Sequence, residues 1–139
     1  MFLESQISSS IKKGSIEVIC GSMFFGKTEE LIRRLKRAQF ANLNVQIYKP
    51  IIDTRYDKSK VVSHNKKSIP AKSVKKSSDI LSLVKNTDVI GIDEAQFFTD
   101  NLVLTANTLA NLKIRVIIAG LDMDFLGNPF GEMPNLLSI

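Results

Sequence analysis

The chain holds one cysteine, Cys20, and one histidine, His64. A single cysteine cannot close an internal disulfide, and one Cys with one His cannot supply a zinc site of ordinary ligand count. Long apolar runs are missing as well. No window approaches the ~20 consecutive apolar residues of a membrane span, and the N-terminal MFLESQISSSIKKGS lacks the apolar core of a secretory signal. These absences predict a cytoplasmic protein with no zinc and no membrane partner. No internal repeat or low-complexity linker divides the 139 residues, 44% of them apolar, which suits one compact domain. Within it, a lone cysteine closing an apolar run reads as a small core residue.

Lys and Arg number 19 against 14 Asp and Glu, a net charge of +5 that fits an anionic partner and an ordinary basic enzyme equally. Lys58, Lys60, Lys66, Lys67, Lys72, Lys75 and Lys76 share one polar stretch, which predicts a solvated loop or an edge hairpin. Interleaved aromatics are absent from it, so no nucleic-acid partner is expected.

Apolar patterning alternates between two periods. Strands are predicted at residues 16–20, 45–49, 89–92 and 115–119, and helices at 28–41, at about 79–84 and within 101–112. The near-continuous runs VIGI and RVIIA indicate strands covered on both faces. The expected fold is therefore α/β, a mostly parallel sheet with helices on both faces. Residues 1–14, polar and Ser/Lys-rich, read as a flexible N-terminal arm, and 15–139 as the core.

Between the first strand and the first helix stands GSMFFGKT, which fits G-x-x-x-x-G-K-[ST] with Gly21, Gly26, Lys27 and Thr28 in register. Glycines there permit backbone torsions closed to other residues, so that successive N–H groups cradle phosphate at the positive end of the helix. Lys27 is placed for the β- and γ-phosphates of ATP, and the Thr28 hydroxyl for Mg²⁺. A second element of such a site is an acidic residue ending a neighbouring strand. In TDVIGIDEAQFF the strand ends at Asp93 and Glu94. Asp93 is the candidate metal-side carboxylate, acting through water, and Glu94 a candidate base or water-orienting group, unless the pair only caps a helix beginning just beyond it. DEAQ also matches a helicase motif, but a helicase closes ATP between two such cores and 139 residues make about one. A small-molecule kinase needs one core and an acceptor pocket. Leu121, Met123, Phe125, Phe130 and Met133 of AGLDMDFLGNPFGEMP supply apolar material for that pocket, or plug the end of the core.

GSMFFGKTEELIRRLKRAQFA, KPIIDTRY with VVSH, VIGIDEAQFF, and AGLDMDF with GNPFGEMPNL together resemble the cellular-type thymidine kinases, from about Gly14 to the last residue. The resemblance implies a RecA-like P-loop fold and transfer of the ATP γ-phosphate to the 5′-hydroxyl of thymidine with Mg²⁺. It makes Glu94 the catalytic base. Gly21, Ser22, Met23, Phe24, Phe25, Gly26, Lys27 and Thr28 would bind ATP together with Asp93, Glu94, Ala95 and Gln96, the last closing the nucleotide-binding segment. Asp53 and Arg55 would lie near the phosphates and acceptor, and Met23, Phe97, Leu121, Phe125 and Phe130 would line the thymidine pocket. The resemblance also implies homo-oligomers, tetramers in the family. Phe25 departs from it, standing where the family usually carries a small residue. The family continues past the position of Ile139 into a zinc and lasso domain that closes over thymidine. The sequence in hand is expected to lack that domain, and with it part or all of the activity unless another chain supplies the lid, which leaves a non-catalytic ATP-binding remnant as the alternative.

Overall fold

The computed structural model describes residues 14–21, 26–51, 60–62 and 68–121. Its framework is a five-stranded sheet built from β1 (Ser15–Gly21), β2 (Val45–Pro50), β5 (Lys72–Val74), β6 (Val89–Ile92) and β7 (Arg115–Leu121), in the order β1-β7-β6-β2-β5. Every pairing in it is parallel. A short antiparallel pair, β3 (Lys60–Val62) with β4 (Ser68–Pro70), stands apart from it.

Three helices cover the sheet: α1 (Lys27–Phe40), α2 (Asp79–Leu83) and α3 (Leu102–Asn111). Alternate strand residues face opposite ways, and the two apolar clusters follow that alternation. Leu31, Ile32, Leu35 and Ala38 of α1 pack with Ile47, Val89, Ile117 and Ala119. Ile80 of α2 and Leu102, Ala106 and Leu109 of α3 pack with Tyr48, Ile90, Ile92, Val116 and Ile118. Helices thus lie on both faces, as the unbroken Val/Ile runs require. All of β6 is buried, as is β7 from Val116 onward.

The helix termini follow local chemistry. Glu29 and Glu30 sit in the first turn of α1 and Arg37 in its last, each complementing the helix dipole. The Asn101 side chain caps α3 by accepting the Leu104 N–H at 3.0 Å. Asp100 takes the Ser77 and Ser78 N–H groups at 2.9 and 3.0 Å and the Ser77 hydroxyl at 2.8 Å, which docks the start of α2 beside α3.

Two expectations change. Cys20 is exposed rather than core. Its strand is one of the sheet's two edge strands, and no residue of β1 is fully buried. The lysine-rich stretch contains the expected hairpin, but it also contributes β5, a fifth strand of the main sheet whose flanking Ala71 and terminal Val74 are buried. Three residues with a single apolar position are too short for a period to show. The helix at 28–41 and the strands at 16–20, 45–49, 89–92 and 115–119 agree with the structure to within about two residues. Among the described residues no helix is long and apolar enough to cross a membrane.

Gly91 sets how closely α1 approaches the sheet. A Cβ there would come within 2.6 Å of Leu35 Cδ1 and 3.2 Å of Leu31 Cδ1. Gly91→Ala should therefore overpack the interface and lower stability by about 1–3 kcal/mol, read as a lower urea midpoint with an unchanged slope.

Glu17 of β1 ties the sheet edge together, taking Arg34 of α1 at 2.9 Å and both the Nε and Nη2 of Arg115 on β7. Burial raises its pKa, but the two arginines outweigh burial and hold it below the ordinary 4.5. A depressed folded pKa adds stability above the unfolded value and loses it as pH falls through the folded one. The stability advantage of the native chain over Glu17→Gln should be fully present at pH 7 and shrink below about pH 4.5, measured by urea unfolding across that range.

Candidate functional site

In a parallel sheet all C-terminal strand ends share one edge, and ligands of such sheets sit beyond that edge. Here the edge brings Gly21 directly opposite Leu121, the last register pair of β1 and β7. Between β7 and β2, β6 stops at Ile92 and hands the chain to Asp93, whose N–H donates to the Tyr48 carbonyl at 2.9 Å. Strand hydrogen bonding thus extends one residue past the end of β6 and fixes the Asp93 backbone.

The Asp93 side chain is 6% exposed. It accepts the Thr28 hydroxyl, with Oγ1 3.2 Å from Oδ2 and 3.4 Å from Oδ1, and the Glu94 N–H at 3.0 Å. The first turn of α1 is thereby joined to the end of β6 through a hydroxyl and a carboxylate. Hard oxygen donors so arranged suit Mg²⁺, so the residues present fit the ion. Burial, then the neighbouring Glu94 charge, push the Asp93 carboxyl up to about 6, against the hydrogen bonds from Glu94 and Thr28 and the charge of Lys49.

Glu94 has φ 54° and ψ 39°, a left-handed conformation that costs a residue with a side chain about 1–3 kcal/mol. Hydrogen bonds on either side hold it there: its N–H donates to Asp93 Oδ1, and its carbonyl accepts the Phe97 N–H at 3.1 Å. Burial raises the Glu94 pKa above its ordinary value, opposed by the Gln96 side chain and by the positive charges of Lys27 and Lys49. A partly buried carboxylate of raised basicity beside two lysines is suited to accept a proton next to bound anionic phosphate.

The structure brings Lys27, Thr28, Asp93, Glu94, Gln96 and Leu121 to one sheet edge. Ala95 and Phe97 belong to the short 3₁₀ turn after Glu94, Ala95 buried and Phe97 41% exposed. Gly26 opens α1 with φ −77° and ψ 57°, so it does not use the left-handed torsion expected of a loop glycine. A Cβ there would meet only the tip of the Glu29 side chain, 3.1 Å from its Oε1. Ser22, Met23, Phe24, Phe25, Asp53, Arg55, His64, Phe125 and Phe130 lie outside the described residues. Among the described residues no group of three or more His, Cys, Asp and Glu could hold a metal ion; the Thr28 hydroxyl and the Asp93 carboxylate are oxygen donors that the structure sets against each other at this edge. Lys49 is a site residue that sequence reasoning misses. Its signal is a basic residue near the C-terminal end of a predicted strand, in the KPIIDTRY stretch.

A carboxyl raised from 3.8 to about 6 weakens the fold as pH rises through that window, because the folded state binds the proton more tightly. Asp93→Asn keeps an oxygen for the Glu94 N–H and sets an NH₂ donor against the Thr28 hydroxyl, which can accept, without the charge. In EDTA at pH 8 it should be more stable than the native chain by on the order of 2–3 kcal/mol, with the difference vanishing below pH 3.8, as read by urea unfolding.

The family model for thymidine kinase matches residues 14–139. The thymidine kinase of Bacteroides thetaiotaomicron is 58% identical over 139 residues, covering 100% of this chain and 70% of that protein. That of Bacteroides fragilis is 57% identical over 139 residues, again 70% of its length. The Porphyromonas gingivalis thymidine kinase is 57% identical over 137 residues, 99% of this chain and 67% of that protein. With this identity along its whole length, and with the strand, helix and carboxylate pair of a phosphoryl-transfer site on one sheet edge, the chain belongs to the thymidine kinase family.

Proposed function

We propose that this chain carries the ATP-binding and phosphoryl-transfer core of a cytoplasmic thymidine kinase, which moves the γ-phosphate of ATP to the 5′-hydroxyl of thymidine and yields dTMP. The observation that supports it most is the pair Asp93–Glu94, one carboxylate facing Thr28 and the other held in a left-handed turn under the influence of Lys27 and Lys49.

The roles follow from charge and reach. Lys27 and the N–H groups opening α1 bind the phosphates, where both the side-chain charge and the helix dipole favour anions. Mg²⁺, held by the Thr28 hydroxyl and through water by Asp93, would neutralise charge on the phosphate oxygens. Glu94 accepts the proton of the 5′-hydroxyl as the oxygen bonds to phosphorus, since a neutral hydroxyl is a weak nucleophile. Asp53 and Arg55 serve the phosphates and acceptor, Arg55 as a planar fork of N–H donors to phosphate oxygens. Ser22, Met23, Phe24 and Phe25 complete the phosphate loop, and Met23, Phe97, Leu121, Phe125 and Phe130 wall the thymine base. The working form is a homo-oligomer.

Labelled ATP and thymidine given to the purified chain should yield dTMP. Glu94→Gln should lower that rate about 10²- to 10⁴-fold while leaving Mg²⁺-dependent ATP binding within a few-fold of native. ATP binding without any dTMP from the native chain would leave a nucleotide-binding protein and refute the transfer.

A further inference from the structure

Lys49 is half-buried near the carboxyl end of β2. Successive strand residues face opposite ways, and along β2 this sends Val45 and Ile47 to the α1 cluster and Tyr48 to the other one. Lys49 therefore follows Ile47 on the α1 face. That face opens toward the strand end: Ile47 is buried, Lys49 half-buried and Ile51 exposed. β6 alternates in step, with Gly91 under Leu31 and Leu35 of α1 and Asp93 meeting Thr28 of the same helix.

Register then sets Lys49 beside the carboxylates. β2 and β6 pair Tyr48 with Ile92, and the Asp93 N–H continues that ladder to the Tyr48 carbonyl, so Lys49 and Asp93 stand next to each other on adjacent strands and on the same face. Strands so paired lie about 4.8 Å apart, well within the span of a flexible four-carbon stem. The positive charge of Lys49 accordingly bears on both Asp93 and Glu94. Two lysines from different elements, Lys27 opening α1 and Lys49 closing β2, thus converge on one sheet edge. Asp93 and Glu94 repel an incoming phosphoryl group, and Lys27 is a single side-chain charge against the two of them. A second cation at the same edge offsets that repulsion.

We propose that Lys49 is a second cation for the transferring phosphoryl group, reaching it from the sheet as Lys27 does from the helix. This rests on the phosphoryl-transfer reading given above. In that step the bond from phosphorus to the leaving oxygen of ADP breaks and a bond to the 5′-oxygen forms, while the hydroxyl proton passes to Glu94. Lys49 makes and breaks no covalent bond. Its ammonium donates to oxygens of the group in flight, where a preplaced charge in a partly dry site is worth most. Thymidine carries no charge, so its binding does not call on Lys49.

Lys49→Met keeps the stem and removes the charge. It should lower kcat for dTMP formation about 10²- to 10³-fold, with dissociation constants for thymidine and for Mg²⁺–ADP within about threefold of native. Native kcat would overturn the assignment, and so would equal loss of thymidine and ADP binding, which would make Lys49 part of the frame. Should the variant fail to fold, acetylation of the native chain by acetic anhydride decides it. Lys49 should react more slowly with a non-hydrolysable ATP analogue and Mg²⁺ bound than with ADP and Mg²⁺ bound, and equal rates would overturn the assignment. A native chain that forms no dTMP refutes the kinase reading instead, while the acetylation rates test the phosphoryl contact independently of turnover.

Discussion

The Asp93 carboxylate has lost nearly all contact with water, and the groups that replace that water join the parts of this molecule. Its backbone continues the pairing of β6 with β2 through the Tyr48 carbonyl, one oxygen takes the Glu94 N–H, and both oxygens face the Thr28 hydroxyl on α1. Without such partners a buried carboxylate is prohibitively costly. The sheet end, the first turn of α1 and the turn bearing Glu94 are therefore held in one arrangement by the same group. The residual cost appears as a pKa raised to about 6. A nearby cation would lower that cost by favouring the charged form.

The scaffold beneath this group is set by burial. β6 is covered on both faces, with Val89 turned to the α1 cluster and Ile90 and Ile92 to the α2/α3 cluster. At Gly91 the missing side chain makes room for Leu31 and Leu35, so α1 lies close against the central strands and its first turn reaches the end of β6. The Glu17–Arg34–Arg115 ion pairs fasten the same helix to the sheet's outer strands. These contacts fix α1 before any ligand arrives. Preorganised positive charge and N–H groups at a phosphate site need no rearrangement during transfer, which is where electrostatic catalysis gains its strength.

Glu94 holds a conformation that costs the fold stability. A left-handed glutamate is unfavourable by itself, and glycine would relieve it. The conformation turns the residue after Asp93 out of the strand direction, placing its carboxylate under the charges of Lys27 and Lys49. Thus two adjacent acids leave one strand end in different directions, Asp93 into the sheet-helix junction and Glu94 toward the lysines.

Much of this is legible in the chain itself. The strands VIGI and RVIIA, the long amphipathic helix after the glycine loop and the acids closing a strand all declare themselves through period and spacing, which are local properties. So do Lys27, Thr28, Asp93 and Glu94, because phosphate and magnesium chemistry demands those residue types at those intervals. Other features depend on which elements become neighbours. Cys20 looks apolar in sequence, but β1 takes the sheet's edge and leaves it exposed. β5 is hidden in a lysine-rich run because three residues carry too little pattern, and only pairing with β2 makes them a strand. Lys49 and the Gln96–Leu121 bond join positions far apart in the chain, and Gly26 does not take a left-handed torsion. The sequence by itself determined the family's chemistry and the order of its elements, since both are written in short-range pattern. The tertiary structure alone decided which side chains share a low-dielectric edge, because burial and the hydrogen bonds that set Asp93 against Thr28 and Gln96 against Leu121 join positions far apart and are not visible along the chain.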